Sequence, residues 1–301
     1  MTKIAKFLWW PFALAAAFSC TDKHERCAFW SKIGECDRNP RYMHSTCAAS
    51  CGTCGDRCFK QFAKEMKVDA VPPHQLHDIM RLALSREEYV PRLIHDQPPV
   101  VYFERFLSDT EADQLVDLGI GSGYQRSCTV GGFDENGSPK TVCNHIRTST
   151  HSFCDQAPCI SNNTVLEITS RIANISNVSP ENHEYFQMLR YDAGQYYKAH
   201  HDHIPHRIAS GPRIYTFFMY LSTVVGGGTK FPLLKGLDGN PLVITPKKGS
   251  ALWWPNTLDA QPKLRDPLTV HEAQPVIQGT KYAANAWIHM HNYRAPRKVG
   301  C

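Results

Sequence analysis

The sequence has no run of basic residues and almost no long apolar segment, and each absence excludes a class of protein. The formal net charge of +5 is spread along 301 residues, which gives no case for a nucleic-acid-binding surface. Residues 7–18 form an apolar segment, but it contains Pro11 and falls well short of the roughly 20 residues that span a bilayer. The sequence therefore predicts neither a nucleic-acid-binding protein nor a membrane-spanning helix.

The N-terminus has the pattern of a secretory signal peptide. Lys3 and Lys6 precede the apolar segment, which ends at Ser19, a small residue suited to cleavage. We therefore predict a signal peptide over residues 1–19, with Cys20 as the first mature residue. The C-terminus has no KDEL-type retention signal, so the prediction leaves open the endoplasmic reticulum lumen or secretion. Four glycosylation sequons fit this route: Asn136, Asn162, Asn174 and Asn177.

Cysteine is abundant, and its distribution predicts a small disulfide-rich module. Of 12 cysteines, seven lie within residues 20–58, a density that is typical of an oxidising compartment. Residues 20–54 have the spacing C-x6-C-x8-C-x10-C-x3-C-x2-C, and six cysteines allow fifteen connectivities. Zinc ligation is the alternative, but paired C-x-x-C knuckles are absent and the predicted compartment is wrong for it. We call residues 20–54 the cysteine module.

The remaining chain predicts an α+β protein with one large domain. Residues 55–98 are predicted as a helical linker, because residues 74–90 have apolar side chains at helical spacing between prolines. Residues 121–160 are rich in glycine and serine and are predicted as loop, with four cysteines whose pairing stays open. From residue 184 onward, β-branched and aromatic runs alternate with turn residues, which predicts a double-sheet jelly roll with supporting helices over residues 99–295.

A candidate metal site lies within this strand-rich region. His200 and Asp202 are two residues apart, so in a strand they would share one face, and His271 supplies a second imidazole. Two histidines and one carboxylate form the facial triad of non-haem Fe(II) oxygenases. Nearby histidines could compete, and we interpret all three as surface or supporting groups: His201, His203 and His206.

Several motifs occur in the order found in one enzyme family. The motifs GQ-x-Y-x-x-H-x-D, RIYTFFMYLS, GGGTKFP, PKKGSAL and H-x9-K resemble the catalytic domain of prolyl 4-hydroxylases. That resemblance implies a double-stranded β-helix fold, with Fe(II) bound by His200, Asp202 and His271. It also implies 2-oxoglutarate as co-substrate and ascorbate as cofactor. The far carboxylate of 2-oxoglutarate would pair with Lys281 and accept hydrogen bonds from Tyr191 and Thr229.

The same resemblance implies a set of peptide-contacting residues. Three residues of this set also have a plainer structural explanation. Tyr197 and Trp287 could be core aromatics, and Arg213 could belong to a structural ion pair. An aromatic groove suits an extended proline-rich ligand, whose polyproline II helix exposes its rings. The implied set is Arg147, Ser149, Glu184, Tyr197, Arg213, Trp287 and His289.

The cysteine module closely resembles the ShK toxin-like (ShKT) domain. The resemblance implies the disulfides Cys20–Cys54, Cys27–Cys47 and Cys36–Cys51. Channel-blocking members have a Lys-Tyr pair where this sequence has Arg41 and Tyr42, and arginine is a broad planar group rather than a compact ammonium. This departure favours an accessory role in localisation or substrate docking.

Together these features predict a procollagen-proline 4-dioxygenase-like enzyme that hydroxylates C4 of peptidyl proline in secretory-pathway proteins. The expected partner is a proline-rich or collagen-like polypeptide, and the need for a partner subunit stays open. Two alternatives remain: a non-catalytic secreted binding protein that acts through the cysteine module, or a dioxygenase that modifies another side chain such as lysine.

Overall fold

A computed structural model describes residues 22–48, 50–51, 62, 65–133, 139–204 and 209–298. The predicted signal peptide and the predicted Cys20–Cys54 disulfide lie outside these residues, as do Cys58 and Cys301. Among the described residues, no helix has the length and apolarity needed to cross a membrane. The α-helices of this part are α1 (Cys27–Lys32), α2 (Glu35–Arg38), α3 (Pro40–Thr46), α4 (Leu76–Leu82), α5 (Asp109–Gly121), α6 (Asn163–Ser176) and α7 (Arg294–Lys298).

The described strands number sixteen and form two large sheets and two small ones. The first eight are β1 (Pro91–Asp96), β2 (Pro99–Phe103), β3 (Gln125–Arg126), β4 (Thr129–Phe133), β5 (Pro139–Val142), β6 (Thr150–Phe153), β7 (Gln187–Tyr191) and β8 (Tyr197–His200). The others are β9 (Arg213–Tyr220), β10 (Val225–Gly226), β11 (Thr229–Lys235), β12 (Pro241–Ile244), β13 (Ala251–Pro255), β14 (His271–Ala273), β15 (Val276–Gln278) and β16 (Lys281–His289).

An eight-stranded sheet and a four-stranded sheet form the jelly roll. The major sheet has the order β1-β2-β13-β9-β16-β7-β6-β3, and the minor sheet has the order β12-β11-β14-β8. All described strand pairs in the two sheets are antiparallel. The predicted fold class, an α+β jelly roll with supporting helices, is confirmed. We refer to the part from β1 onward as the jelly-roll domain.

Alternation along the central strands divides the apolar side chains between two cores. In β9, Phe217 and Met219 belong to the core on the helix side, whereas Phe218 and Tyr220 belong to the core between the sheets. Side chains of a strand point alternately to its two faces, and both faces of this sheet are covered. Polar residues on the inner face of these strands therefore point into the jelly roll. The candidate functional side chains point the same way.

The helices cover the outer face of the major sheet. Helix α5 begins with a capping box, in which Ser108 accepts from the Glu111 backbone N–H and the Glu111 carboxylate accepts from the Ser108 backbone N–H. Helix α6 has Ile168 and Ile172 fully buried against the sheet. Helix α4 packs there too, and the Tyr215 hydroxyl donates to the Leu76 carbonyl over 2.9 Å.

Two predictions about local structure need correction. Residues 91–96 form β1, which pairs with β2 in the major sheet, although we had included them in the linker. Residues 121–160 contain β3 to β6 rather than only loop, because short edge strands with exposed polar residues lack the apolar run that identifies a strand. The four cysteines of this region pair as Cys128–Cys143 and Cys154–Cys159.

In its described part, the cysteine module consists of three short helices around a very small core. The buried apolar side chains of this part are Cys27, Met43 and Cys47, with Trp30 packed against them. Disulfides join Cys27 to Cys47 and Cys36 to Cys51, which are two of the three pairs that the resemblance implied. The module contacts the jelly-roll domain through Arg41, whose Nη2 lies 2.8 Å from Asp155 Oδ2.

Candidate metal and co-substrate site

Two neighbouring strands bring the two candidate histidines together. His200 ends β8 and His271 begins β14, and the antiparallel register pairs them directly, with ring centroids 4.4 Å apart. Asp202 Oδ1 lies 3.8 Å from His200 Nε2, and Asp202 Oδ2 lies 3.6 Å from His271 Nε2. One ligand atom from each residue lies within 4.8 Å of the other two, and no other such His/Cys/Asp/Glu group occurs in the described part of the chain.

Both imidazoles are oriented by the main chain. His200 Nδ1 lies 2.8 Å from the Lys198 carbonyl oxygen, and His271 Nδ1 lies 3.0 Å from that of Thr269. When Nδ1–H donates to a carbonyl, the Nε2 lone pair is available for a metal ion. Burial lowers the pKa of His200 to about 3, so this ring is neutral at physiological pH. The site therefore presents imidazole in the form that metal binding requires.

Asp202 is held by a pair of residues that the sequence did not reveal. The Thr216 hydroxyl donates to Asp202 Oδ2 over 2.8 Å, and Asn256 Nδ2 donates to Thr216 Oγ1 over 2.8 Å. Burial alone would raise the pKa of Asp202, but the two imidazoles and Arg213 lower it to about 2, so the carboxylate is ionised. A lone threonine in the apolar run of β9 is the only sequence signal for this contact.

Lys281 is fully buried and has no anionic partner among the described residues. Its Nζ donates to the Gly227 carbonyl oxygen over 2.6 Å and lies 5.3–5.5 Å from the ring centroids of Tyr191, Phe218 and Tyr220. Burial lowers the pKa of Lys281 to about 7. A buried amine without a carboxylate is costly, so its position suits a ligand that brings one.

The three candidate metal ligands line one cavity of about 470 Å³ between the sheets. Tyr191 and Thr229 line it too, whereas Lys281 lies behind this lining, against the rings of Tyr191 and Phe218. The Tyr220 hydroxyl donates to Thr229 Oγ1 over 2.7 Å, and burial raises the pKa of Tyr191, so that its phenol keeps its proton. Such a volume is within the range of small-molecule sites. Tyr191 also faces Lys281 directly in the register of β7 and β16.

Arg147 and Tyr197 form one wall of the cavity. The Arg147 guanidinium carbon lies 4.7 Å from the Tyr197 ring centroid, and that ring is stacked on His200 at 3.5 Å. Arg147 Nε donates to Ser149 Oγ over 3.2 Å, and Ser149 is fully buried behind it. Of the predicted peptide contacts, Arg147 and Tyr197 line the cavity, whereas Ser149 supports Arg147.

Arg213 and Trp287 line another part of the cavity. The Arg213 guanidinium carbon lies 3.6 Å from the Trp287 ring centroid, and Arg213 Nη2 lies 3.0 Å from Glu184 Oε2. The other Glu184 oxygen, Oε1, lies 2.6 Å from His289 Nε2. Burial raises the pKa of Glu184, but Arg213 and His289 lower it to about 2. Arg213 is therefore ion-paired, which was its structural alternative to a peptide contact, and it also lines the cavity.

Two competing histidines also lie at the cavity. His201 and His203 line it together with His200. Strand β8 ends at His200, so the alternation of side chains along a strand does not extend to residues 201 and 202. Neither histidine belongs to the group of three ligands, and His206 lies outside the described residues.

The residues present fit both ferrous iron and 2-oxoglutarate. Two imidazoles and one ionised carboxylate match the facial-triad donor set, and the buried Lys281 amine matches a distal carboxylate. Two further lining residues, Gln187 and Asn285, were not predicted from the sequence. Asn285 Nδ2 donates to Gln187 Oε1 over 3.2 Å. Amides within apolar strands carry no strong sequence signal.

Comparison with known families agrees with this geometry. Residues 186–289 match the 2OG-Fe(II) oxygenase superfamily, and residues 19–54 match an ShK domain-like family. The match covers β7 to β16 and therefore all four of the residues His200, Asp202, His271 and Lys281. The fold and the site thus define a 2OG-Fe(II) oxygenase with an ShK-like module.

Similar proteins narrow the family further. A probable prolyl 4-hydroxylase 8 of Arabidopsis thaliana is 32% identical over 215 residues, which is 65% of this chain and 70% of the relative. Prolyl 4-hydroxylase 2 of the same plant is 31% identical over 221 residues, 66% of this chain and 70% of the relative. The chain therefore belongs to the prolyl 4-hydroxylase family of Fe(II)- and 2-oxoglutarate-dependent enzymes.

Among solved structures, similar folds include a viral collagen prolyl hydroxylase of Paramecium bursaria Chlorella virus 1, solved as a 2OG complex. It has a TM-score of 0.48 and 26% sequence identity, and the match covers 63% of this chain and 94% of that one. The match is thus nearly the whole of that protein, whereas about a third of this chain lies outside it.

Proposed function

We propose that this enzyme hydroxylates C4 of peptidyl proline in proteins of the secretory pathway, with decarboxylation of 2-oxoglutarate to succinate and CO₂. One observation carries the proposal: a three-ligand metal group lines the cavity between the sheets, and a fully buried lysine without an anionic partner among the described residues lies against two rings of the same lining, Tyr191 and Phe218. Membership of the prolyl 4-hydroxylase family supports proline as the modified residue.

In this proposal His200, Asp202 and His271 hold iron, and Lys281 holds the distal carboxylate of 2-oxoglutarate. Bound ferrous iron, with 2-oxoglutarate and O₂, supplies the oxidising chemistry that hydroxylation of an unactivated C–H bond needs. The carbonyls of Lys198 and Thr269 keep each imidazole Nε2 directed at the metal position. Tyr191 and Thr229 donate to the same carboxylate as Lys281, and the aromatic rings around Lys281 exclude water.

The peptide would lie against Arg147, Tyr197, Arg213 and Trp287. Both aromatic rings reach the cavity, and each carries a guanidinium on one face. Arg147 and His200 cover the two faces of Tyr197, so this ring offers its edge to a prolyl ring, and the arginines can donate to the carbonyls of an extended peptide. The other three residues of the predicted set lie behind the cavity lining and do not touch the peptide. Ser149 accepts a hydrogen bond from Arg147, Glu184 pairs with Arg213, and His289 contacts Glu184.

A direct test incubates the protein with Fe(II), 2-oxoglutarate, ascorbate and a panel of synthetic peptides. The panel contains proline-rich, collagen-like and lysine-containing sequences, with proline-to-alanine versions as matched controls. We expect mass spectrometry to find one added oxygen on proline, amino-acid analysis to identify 4-hydroxyproline, and succinate to form in equal amount. Oxygen added to lysine, or no product with a fully iron-loaded enzyme, would contradict the proposal.

The compartment and the dependence on ascorbate are further parts of the proposal. Disulfides in both domains support an oxidising environment, where prolyl hydroxylation of exported proteins takes place. We expect expression in eukaryotic cells to yield a protein that begins at Cys20 and loses mass on treatment with an endoglycosidase. A mature protein that keeps residues 1–19 would contradict the proposed compartment. Rates that do not depend on ascorbate would contradict the proposed cofactor.

A further inference from the structure

The wall of the cavity that carries Arg147 lies between the edges of the two sheets. On one side, β3 is the edge strand of the major sheet, and Ser127 N donates to the Ser149 carbonyl over 2.9 Å. On the other side, residues 146–148 extend the minor sheet beyond β8. There Lys198 N donates to the Ile146 carbonyl and Thr148 N donates to the Tyr196 carbonyl, each over 2.9 Å. We call residues 144–149 the wall segment.

A disulfide joins these two edges at the mouth of the cavity. Cys128 follows Ser127 directly, Cys143 precedes the wall segment directly, and the two are bonded. Between them the chain forms the hairpin β4–β5, a two-stranded sheet that pairs with no other described strand. An isolated two-stranded hairpin is marginally stable in water, so by itself it would hold the two edges together only weakly. Cys128 also lines the cavity.

The wall segment is coupled to the metal site through one stack of side chains. Arg147 pairs with Tyr197 in an isolated bridge and lies over its ring, and that ring is stacked on His200. The pocket around Lys281 and Thr229 is built from β7, β9, β11 and β16, none of which contains Cys128 or Cys143. The wall segment reaches this pocket through Ser149, whose side chain is hydrogen-bonded to Tyr191. Loosening the wall should therefore affect the peptide side of the cavity far more than the 2-oxoglutarate side.

We propose that the Cys128–Cys143 disulfide is a positioning clamp that fixes the wall segment, and with it Arg147 and Tyr197, for binding of the peptide substrate. This inference rests on the proposed function, because it assumes that Arg147 and Tyr197 contact peptide. Loss of the clamp should raise the KM for peptide by about tenfold, since two side chains then have to be ordered on binding. The affinity for 2-oxoglutarate should not change.

The clamp is more accessible to a small reductant than the buried disulfides of the described part of the chain. Cys143 is exposed and Cys128 half-buried, as Cys36 and Cys51 are, whereas Cys27, Cys47, Cys154 and Cys159 are at most 2% exposed. A small dithiol would give up two electrons and two protons, become a cyclic disulfide and leave Cys128 and Cys143 as two thiols. Limited reduction should therefore open this bond before the buried ones.

The test compares the wild type with Cys128→Ser/Cys143→Ser, and uses Cys154→Ser/Cys159→Ser as a matched loss of a disulfide away from the two sheet edges. We expect the first variant to raise the KM for a proline-rich peptide with little change in kcat, and to leave the dissociation constant of 2-oxoglutarate unchanged. Amide hydrogen exchange at Thr148 and Lys198 should become faster. The control variant should lower the melting temperature without raising the peptide KM.

An unchanged peptide KM together with unchanged exchange at Thr148 would overturn the clamp, as would an equal loss of 2-oxoglutarate affinity. If the variant does not fold, limited dithiol reduction of the wild type, followed by alkylation and mass spectrometry, gives the same comparison. A wild type that turns over no proline peptide would contradict the proposed function instead, and the exchange experiment would still decide whether the disulfide fixes the wall.

Discussion

The cysteine module and the jelly-roll domain are stabilised in different ways, although they belong to one chain. In the described part of the module, the buried apolar side chains are Cys27, Met43 and Cys47, and two of these three are bonded to each other. In the jelly-roll domain, two separate apolar cores cover both faces of the major sheet. A chain of a few dozen residues buries too little surface to fold on apolar contacts alone, so covalent bonds replace them.

This difference explains why the catalytic groups belong to the jelly roll. A metal site needs ligand atoms held within a fraction of an ångström, and strands packed on both faces provide that rigidity. His200 and His271 are fixed by strand register, and Lys281 is fixed by β16 at the centre of the major sheet. Among its described residues, the module offers no comparable buried position for a polar side chain, but its exposed helices can vary in sequence at little cost.

The largest expected effect is the loss of one metal ligand from the jelly roll. His271→Ala should reduce turnover by more than the roughly 100-fold that removal of an outer hydrogen-bond partner costs, because it removes a ligand itself. Thr216→Val is the matched outer variant and should cost about 10- to 100-fold in metal affinity. Iron binding followed by calorimetry, with circular dichroism as a folding control, checks both. Wild-type turnover in His271→Ala would refute the ligand set.

Lys281→Met separates binding from stability within the same core. The distal carboxylate of 2-oxoglutarate would lose its charged partner, which should cost about 3–5 kcal/mol of binding free energy. Thermal unfolding of the ligand-free protein should occur at an equal or higher temperature, because methionine replaces a buried amine without an anionic partner among the described residues. Titration with 2-oxoglutarate and a melting curve give the two readouts. Unchanged 2-oxoglutarate affinity would contradict the role of this lysine.

Replacing one disulfide of the cysteine module, in Cys36→Ser/Cys51→Ser, should strongly destabilise the module without unfolding the jelly-roll domain. Loss of a disulfide from a small domain costs about 2–5 kcal/mol, which is comparable to the whole stability that such a core can supply. We expect fast hydrogen exchange throughout α1 to α3, while exchange in β9 and β16 stays slow. If the jelly-roll core were to unfold together with the module, the two regions would not be stabilised independently.

The affinity for 2-oxoglutarate should depend on pH through Lys281. Burial lowers its pKa to about 7, so above that pH the amine is mostly neutral and must take up a proton when the carboxylate binds. The dissociation constant should therefore rise by up to about tenfold per pH unit above 7. Anaerobic titrations with saturating Fe(II) in two buffers would measure this proton uptake. Lys281→Arg, which stays charged, is the control and should show a flatter profile.

The smallest effect is expected where the two regions meet. Arg41→Ala removes the ion pair with Asp155, and the Arg41 side chain is 58% exposed. Exposed pairs contribute roughly 0.2–1 kcal/mol, so the melting temperature of each region should hardly change. Asp155→Ala should change the melting temperature as little as Arg41→Ala does. The melting temperature of the double variant should show whether the two residues act as a pair. A large destabilisation of the jelly roll would mean that the module supports it.

The sequence by itself predicted the architecture, and it singled out the three residues that the structure brings together as a metal-binding group. Alternating strands after Glu184 and the H-x-D pair are local patterns of the chain, whereas the H-x9-K motif was identified through the resemblance to prolyl 4-hydroxylases. What the sequence left open involves partners distant along the chain, such as Thr216 at Asp202 and the pairing of Cys128 with Cys143. It also missed β1, whose residues we assigned to the helical linker.

Only the tertiary structure decided that Lys281 is buried without a carboxylate partner among the described residues, and that Ser149, Glu184 and His289 stand behind the cavity rather than in it. These facts depend on which strands become neighbours. Burial and ion pairing follow from packing in three dimensions, whereas composition and spacing record only the order of residues along one chain.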